Sequence, residues 1–191
     1  MPKYKDLNGD GVIDTNDRTM IGRGLPIHTG GFTNNFEYKG FDLSVFFQWS
    51  YGNDVLNANR LFFDSGFQKK RELNQYASYT DRWTPENPNS NIPAATNSSS
   101  NLVISSRVVE DASFLRLKTV TLGYTVPKTF LKKYKIDNAR LYVAAQNLWT
   151  ITGYSGYDPE VSIRSGGLTP GLDFSSYPRA LSVSFGINLG F

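Results

Sequence analysis

The sequence predicts an all-β protein: about five C-terminal antiparallel strands of a large transmembrane β-barrel, with long extracellular loops carrying short helices. Three observations carry this expectation. The closing stretch LSVSFGINLGF puts Leu181, Val183, Phe185, Ile187, Leu189 and Phe191 in one phase, and only small or polar residues in the other. Several patterned segments run about 11 residues, whereas an ordinary strand has about 5–6. The connections between them alternate short and long, as an up-and-down meander requires when one of its ends carries the large loops.

The first strand is expected over 32–39, FTNNFEYK, where Phe32, Phe36 and Tyr38 share a face. Lys39–Gly40 then makes a tight reversal, because glycine tolerates positive φ. The second strand, 41–51, alternates Phe41, Leu43, Val45, Phe47, Trp49 and Tyr51 with Asp42, Ser44, Phe46, Gln48 and Ser50, and Phe46 breaks the polar face. A third, 113–126, starts in odd phase with Leu115 and Leu117 and continues in even phase with Val120, Leu122, Tyr124 and Val126. A bulge near Lys118 or Thr119 reconciles the halves, and Pro127 ends the ladder. The fourth, 139–151, puts Leu141, Val143, Ala145, Trp149 and Ile151 on one face, and the fifth is 181–191.

At about 3.3 Å per residue an 11-residue strand reaches about 35 Å, and about ten residues tilted by about 40° cross the hydrocarbon of a membrane. A strand with lipid on one side and a lumen on the other must alternate throughout, and closure pairs every backbone group. Aromatics near the strand ends (Trp49, Tyr51, Tyr38, Tyr124, Trp149, Phe191) fit interfacial girdles. The competing architecture is a soluble β-sandwich, whose strands alternate as well. The strands fall within 27–191, with external loops 52–112 and 152–180; residues 1–26 form a further external loop.

The sharpest motif lies in that first loop. DLNGDGVIDTND, 6–17, offers side-chain oxygens at positions one, three, five, nine and twelve: Asp6, Asn8, Asp10, Asp14 and Asp17. Gly11 holds position six, where a sharp turn is needed, and the Val12 carbonyl serves position seven. Hard Ca²⁺ takes six to eight oxygens in such a wrap, so a structural Ca²⁺ is expected here. Asp17 in place of a longer Glu resembles the loops of dockerin modules. The alternative is an Asx- and Gly-rich turn without metal.

In the 52–112 loop, 53–66 and 69–83 read as short helices and 84–101 as irregular chain. Phe62, Phe63, Tyr76, Tyr79 and Trp83, with Tyr154 and Tyr157 of the later loop, are candidate ligand-stacking residues at a pore mouth; the alternative is that they pack the loops on themselves. No active site is indicated. Cysteine is absent and His28 is the single histidine, which leaves no thiolate site and no catalytic zinc. Asp158 and Glu160 can be posed as a glycosidase-like carboxylate pair, but any acid-bearing loop offers such pairs. The net charge is +3, and the basic cluster Lys132, Lys133 and Lys135 is interrupted by Tyr134. No basic stripe suggests nucleic acid.

Six stretches, in order, resemble the C-terminal part of the SusC/RagA family of TonB-dependent outer-membrane transporters. They are YKDLNGDGVIDTNDRTMIG, GGFTNNFEYKGFDLSVFFQWSYGNDV, YTDRWTPENPNSNIP, ASFLRLKTVTLGYTVPK, LYVAAQNLWTITGYSGYDPE and YPRALSVSFGINLGF. The resemblance implies a barrel of about 22 strands around a plug. It further implies a cell outer-membrane location, drive from TonB through a missing N-terminal part, a SusD-like surface lipoprotein as lid, and glycan or peptide cargo. Phe191 resembles the signal read by the barrel-assembly machinery. Five strands close no barrel, and MPKYKDLNGDG has no secretory h-region. The chain is therefore read as a fragment or an upstream-truncated frame that would aggregate alone. The runner-up is a secreted, calcium-stapled β-sandwich binding module.

Overall fold

The structure, a computed structural model, describes residues 4–66, 74–97, 102–163 and 170–191. Its strands are β1 (His28–Tyr38), β2 (Phe41–Tyr51), β3 (Asp54–Asn57), β4 (Val109–Asp111), β5 (Phe114–Thr125), β6 (Asn138–Thr152), β7 (Leu172–Asp173) and β8 (Ser182–Gly190). Two short helices, α1 (Ala58–Phe63) and α2 (Lys128–Leu131), lie between them. The chain divides into two compact units, each described by itself.

One unit comprises Pro26–Gly52, Ala112–Pro159 and Pro178–Phe191. It is a single antiparallel sheet of order β1-β2-β5-β6-β8, open at β1 and β8. The four longer strands have 11, 11, 12 and 15 residues, and β1 starts at His28, before the expected residue 32. Lys39 and Gly40 take φ of +47° and +89°, which gives β1–β2 the two-residue turn whose twist matches paired strands.

The phase change in β5 is a bulge. Against β2, Phe47 faces Leu117 and Phe46 faces Thr119, so Lys118 is the extra residue; against β6, Leu117 faces Trp149 and Thr119 faces Gln146, which sets Asn147 and Leu148 across from Lys118. Asn147 answers from β6 with φ of +52°, a conformation asparagine tolerates better than most residues. The bulge returns the β5 hydrophobics to one face after the slip. Phe46, the apolar residue on the polar face, covers Gly31, where a Cβ would stand 2.7 Å from its ring.

The other unit comprises Met1–Leu25, Asn53–Asp111 and Glu160–Tyr177. Here β3 pairs antiparallel with β4 and parallel with β7, so a small sheet is assembled from separate connections. Ala58, Leu61 and Val108 form its core, with Leu56, Phe62 and Leu172 packed against them. The helix expected over 53–66 is confined to α1: its first residues are taken by β3, where Leu56 donates to Gly171 O at 2.8 Å. Part of the 69–83 helix expectation lies outside the described residues, and its described end carries a 3-10 turn at Ala77–Asp81.

Candidate functional site

The large sheet has two chemically distinct faces, and the pairing registers show how they arise. Phe36, Leu43, Leu122, Val143 and Phe185 follow one another across β1, β2, β5, β6 and β8. Tyr38, Phe41, Tyr124, Leu141 and Ile187 form the next row. This face is open: Phe185 is 82% exposed and Ile187 64%. A β-sandwich would cover such a face with a second sheet.

Aromatics bound the apolar face at both ends. At the end bearing the Lys39–Gly40 turn, Phe41 and Tyr124 rings lie 4.6 Å apart. At the opposite end Trp49 donates from Nε1 to His28 Nδ1 at 3.1 Å, and His28 stacks on Tyr51 at 5.1 Å. Phe41 and Tyr51 are ten residues apart along β2, about 33 Å along the strand at about 3.3 Å per residue, and at a tilt of about 40° this spans an apolar band of about 25 Å.

The other face is polar. Arg140 of β6 reaches across β5 to Asp42 of β2, with Nε to Oδ1 at 3.0 Å and Nη2 bonded to Oδ2. Gly123 lies beneath this bridge, where a Cβ would collide with both partners. Tyr142 lies over Gly186 in the same way, and the Arg140 guanidinium sits 5.4 Å from the Tyr142 ring. Toward the loops, Arg116 pairs with Asp158 at 2.6 Å, both side chains buried. Thr150 Oγ1 accepts from Arg116 Nε at 2.9 Å, and the Arg179 N–H donates to the other Asp158 oxygen at 2.9 Å. Asp158 is therefore occupied as a loop clamp, a role its sequence neighbours do not signal.

The loop unit holds its own ionic cluster. Asp64, fully buried, accepts from Arg60 at 3.1 Å and from Ser78 Oγ at 3.2 Å, with Arg107 Nη1 3.8 Å away. Arg60 also pairs with Glu110 at 3.3 Å. Burial pushes the Arg107 guanidinium below its ordinary range, opposed by the nearby Asp64 carboxylate. Arg60 and Asp64 are neighbours at i,i+4 on α1 and its cap, and Arg107 lies three residues from Glu110, but more than forty residues separate the two pairs, so spacing alone could not reveal the cluster.

The loop aromatics fall into different environments. Phe62 packs on Phe174 at 5.2 Å and Phe63 on Tyr76 at 5.4 Å. Tyr79 lies under the Arg82 guanidinium at 5.1 Å. Tyr154 is buried beside Gly156, while Trp83 and Tyr157 are exposed, Tyr157 by 82%.

The acidic loop is held by its own side chains. Asp6 accepts the N–H groups of Gly9 at 2.6 Å and Gly11 at 2.8 Å. Asp17 accepts those of Leu7 at 2.7 Å and Asp14 at 2.9 Å, and the Asp14 and Leu7 bonds hold its carboxyl below the ordinary range. Asp10 accepts from Val12 N and Asn8 Nδ2, both at 2.8 Å. Gly11 has φ of +81°, as the sixth-position turn requires. Among the described residues no three His, Cys, Asp or Glu side chains group closely enough to hold a metal. The bonds made here leave lone pairs on each carboxylate, so the donor set is compatible with Ca²⁺ only after those side chains converge.

Long strands, one apolar face bounded by aromatics and one polar face define the wall of a membrane β-barrel. No family model matches the chain. Over 98% of its length it is 39% identical to TonB-dependent receptor P3 of Formosa agariphila, and over 98% it is 29% identical to TonB-dependent receptor SusC of Bacteroides thetaiotaomicron. It superposes on the RagAB peptide importer in its open-open state with a TM-score of 0.81 and 29% identity, covering 98% of this chain and 20% of that one. The chain spans 19% of the P3 receptor and 17% of SusC. It is a segment of a TonB-dependent receptor of the SusC/RagA family. These relatives are receptors and transporters, not enzymes.

Proposed function

We propose that the protein carrying this chain is an outer-membrane importer of nutrients, glycan oligosaccharides or peptides. The chain supplies wall strands β1, β2, β5, β6 and β8, and the unit bearing β3, β4 and β7 supplies extracellular loops. The observation that carries the reading is the two-faced sheet: apolar rows exposed across all five strands, over a band about 25 Å tall. The likeness to SusC and RagAB supports a SusD-like surface lipoprotein as partner. TonB acts through parts of the receptor outside this chain, and β8 is the strand offered to the barrel-assembly machinery.

Orientation tests this reading. Added to intact cells, a protease is expected to cut between 53 and 111 and to spare the turns at 39–40 and 127–137, which become accessible only after the outer membrane is opened. Cleavage of both sets in intact cells, or of neither after opening, contradicts it. For the acidic loop we propose a structural Ca²⁺ held by Asp6, Asn8, Asp10, Asp14, Asp17 and the Val12 carbonyl. The ligand spacing and the positive φ of Gly11 support this, and calorimetry on the receptor tests it.

A further inference from the structure

The turn between β5 and β6, residues 127–137, carries four lysines, and the wall alone does not account for them. Residues 38–40 and 127–137 contain five lysines and one acid, Asp137. The two turns meet where Thr125 N donates to Gly40 O at 2.8 Å, and Val126 N closes the second turn on Ala139 O at 2.9 Å. Glycine and proline can close such turns without any lysine, so the charge calls for a separate cause.

Burial shows which face the second turn favours. Ala139 has the parity of the apolar face, yet it is 7% exposed where Leu141 is 46% exposed. Leu131 is also buried, and α2 lies against β6. The turn therefore folds onto the apolar side of the sheet. Phe130 and Tyr134 stay outside, 70% and 67% exposed. Two ammonium groups lie over aromatic rings, Lys39 over Tyr38 at 5.1 Å and Lys133 over Tyr134 at 5.9 Å. Tyr38 belongs to the apolar face, so this charge rims the apolar band on its outer side.

Exposed aromatics with lysines at the edge of an apolar band fit the boundary between acyl chains and headgroups. Resting on the membrane-wall reading above, we propose that Lys39, Lys128, Lys132, Lys133 and Lys135 form a site for the phosphate headgroups of anionic phospholipid in the adjoining leaflet, with Tyr38, Phe130 and Tyr134 seated beside them. Asp137 is the one acid in the turn, and its N–H is bonded to Gly190 O at 2.8 Å. The Asp42–Arg140 pair lies on the polar face and is internally neutral.

The test uses the whole receptor carrying this chain, reconstituted in nanodiscs of phosphatidylcholine and phosphatidylglycerol, with retained lipid measured by mass spectrometry. Each lysine near an anionic surface is expected to contribute about fivefold. Combined Lys132→Ala, Lys133→Ala and Lys135→Ala should lower the retained phosphatidylglycerol-to-phosphatidylcholine ratio at least tenfold, and raised salt should do the same to the wild type. An unchanged ratio overturns the proposal, as does loss of a bound protein in place of lipid. Val183→Arg is the control for the underlying reading. If it reconstitutes as well as wild type, the membrane wall itself fails; if it does not and the lipid ratio is unmoved by the lysine changes, only the headgroup site fails.

Discussion

Arg116 of β5 and Asp158 of the loop after β6 form a buried ion pair, 2.6 Å between Nη2 and Oδ1, at the loop end of the wall. The same carboxylate takes the Arg179 N–H, so one side chain fastens both ends of the 159–178 connection. Asp158→Ala takes the carboxylate away from a buried guanidinium and is expected to cost about 3–5 kcal/mol. Replacing both partners by apolar residues should recover much of that loss. Denaturant unfolding of the receptor, run as a double-mutant cycle, checks it; independent, additive losses would contradict the pairing.

Gly123 is expected to tolerate no side chain. Its Cβ would enter the space through which Arg140 reaches Asp42, and overpacking of this kind costs about 1–3 kcal/mol. Gly123→Ala should lower stability, and adding Arg140→Ala should return part of it. Equal stability of Gly123→Ala and wild type would mean the bridge does not cross above this position.

In the loop unit, Asp64→Ala removes the buried carboxylate that Arg60 and Arg107 share, leaving Arg60 to Glu110, and is expected to cost about 3 kcal/mol locally. Hydrogen exchange should accelerate in β3 and β4 before it changes in β5 or β6. Uniform acceleration through both sheets would contradict a separate loop unit.

Calcium removal tests the acidic loop. Titration of the receptor with Ca²⁺ should give a binding heat that Asp6→Asn weakens at least tenfold, and chelation should hasten proteolysis within 4–25. No heat in the wild type would leave the loop as a self-bonded turn, with Asp6 and Asp17 serving only the backbone N–H groups they already accept.

The wall was legible in the sequence because its signal is local. Alternation survives any pairing partner, and the phase slip after Leu117 names its own bulge at Lys118. The loop unit was not legible. Its strands have 4, 3 and 2 residues, too short for periodicity, and they pair across distant segments. That pairing draws 54–57 into a ladder although the stretch reads as helix. Asp158 looked like an acid beside Glu160; its partner Arg116 lies 42 residues away and only the folded register joins them. For Phe62, Phe63 and Tyr76 the sequence leaves ligand stacking and loop packing both open, because it cannot show the rings they pack against.

The odd-numbered residues of β8 are the ones that a membrane wall turns to lipid. Val183→Arg and Ser184→Arg are neighbours of opposite parity, Val183 across from Ala145 and Ser184 across from Ala144. Unfolding of the receptor from lipid vesicles should show Val183→Arg destabilised by about 2–4 kcal/mol, and Ser184→Arg within roughly 0.5 kcal/mol of wild type. Equal tolerance at the two positions would mean that this face of β8 does not meet lipid.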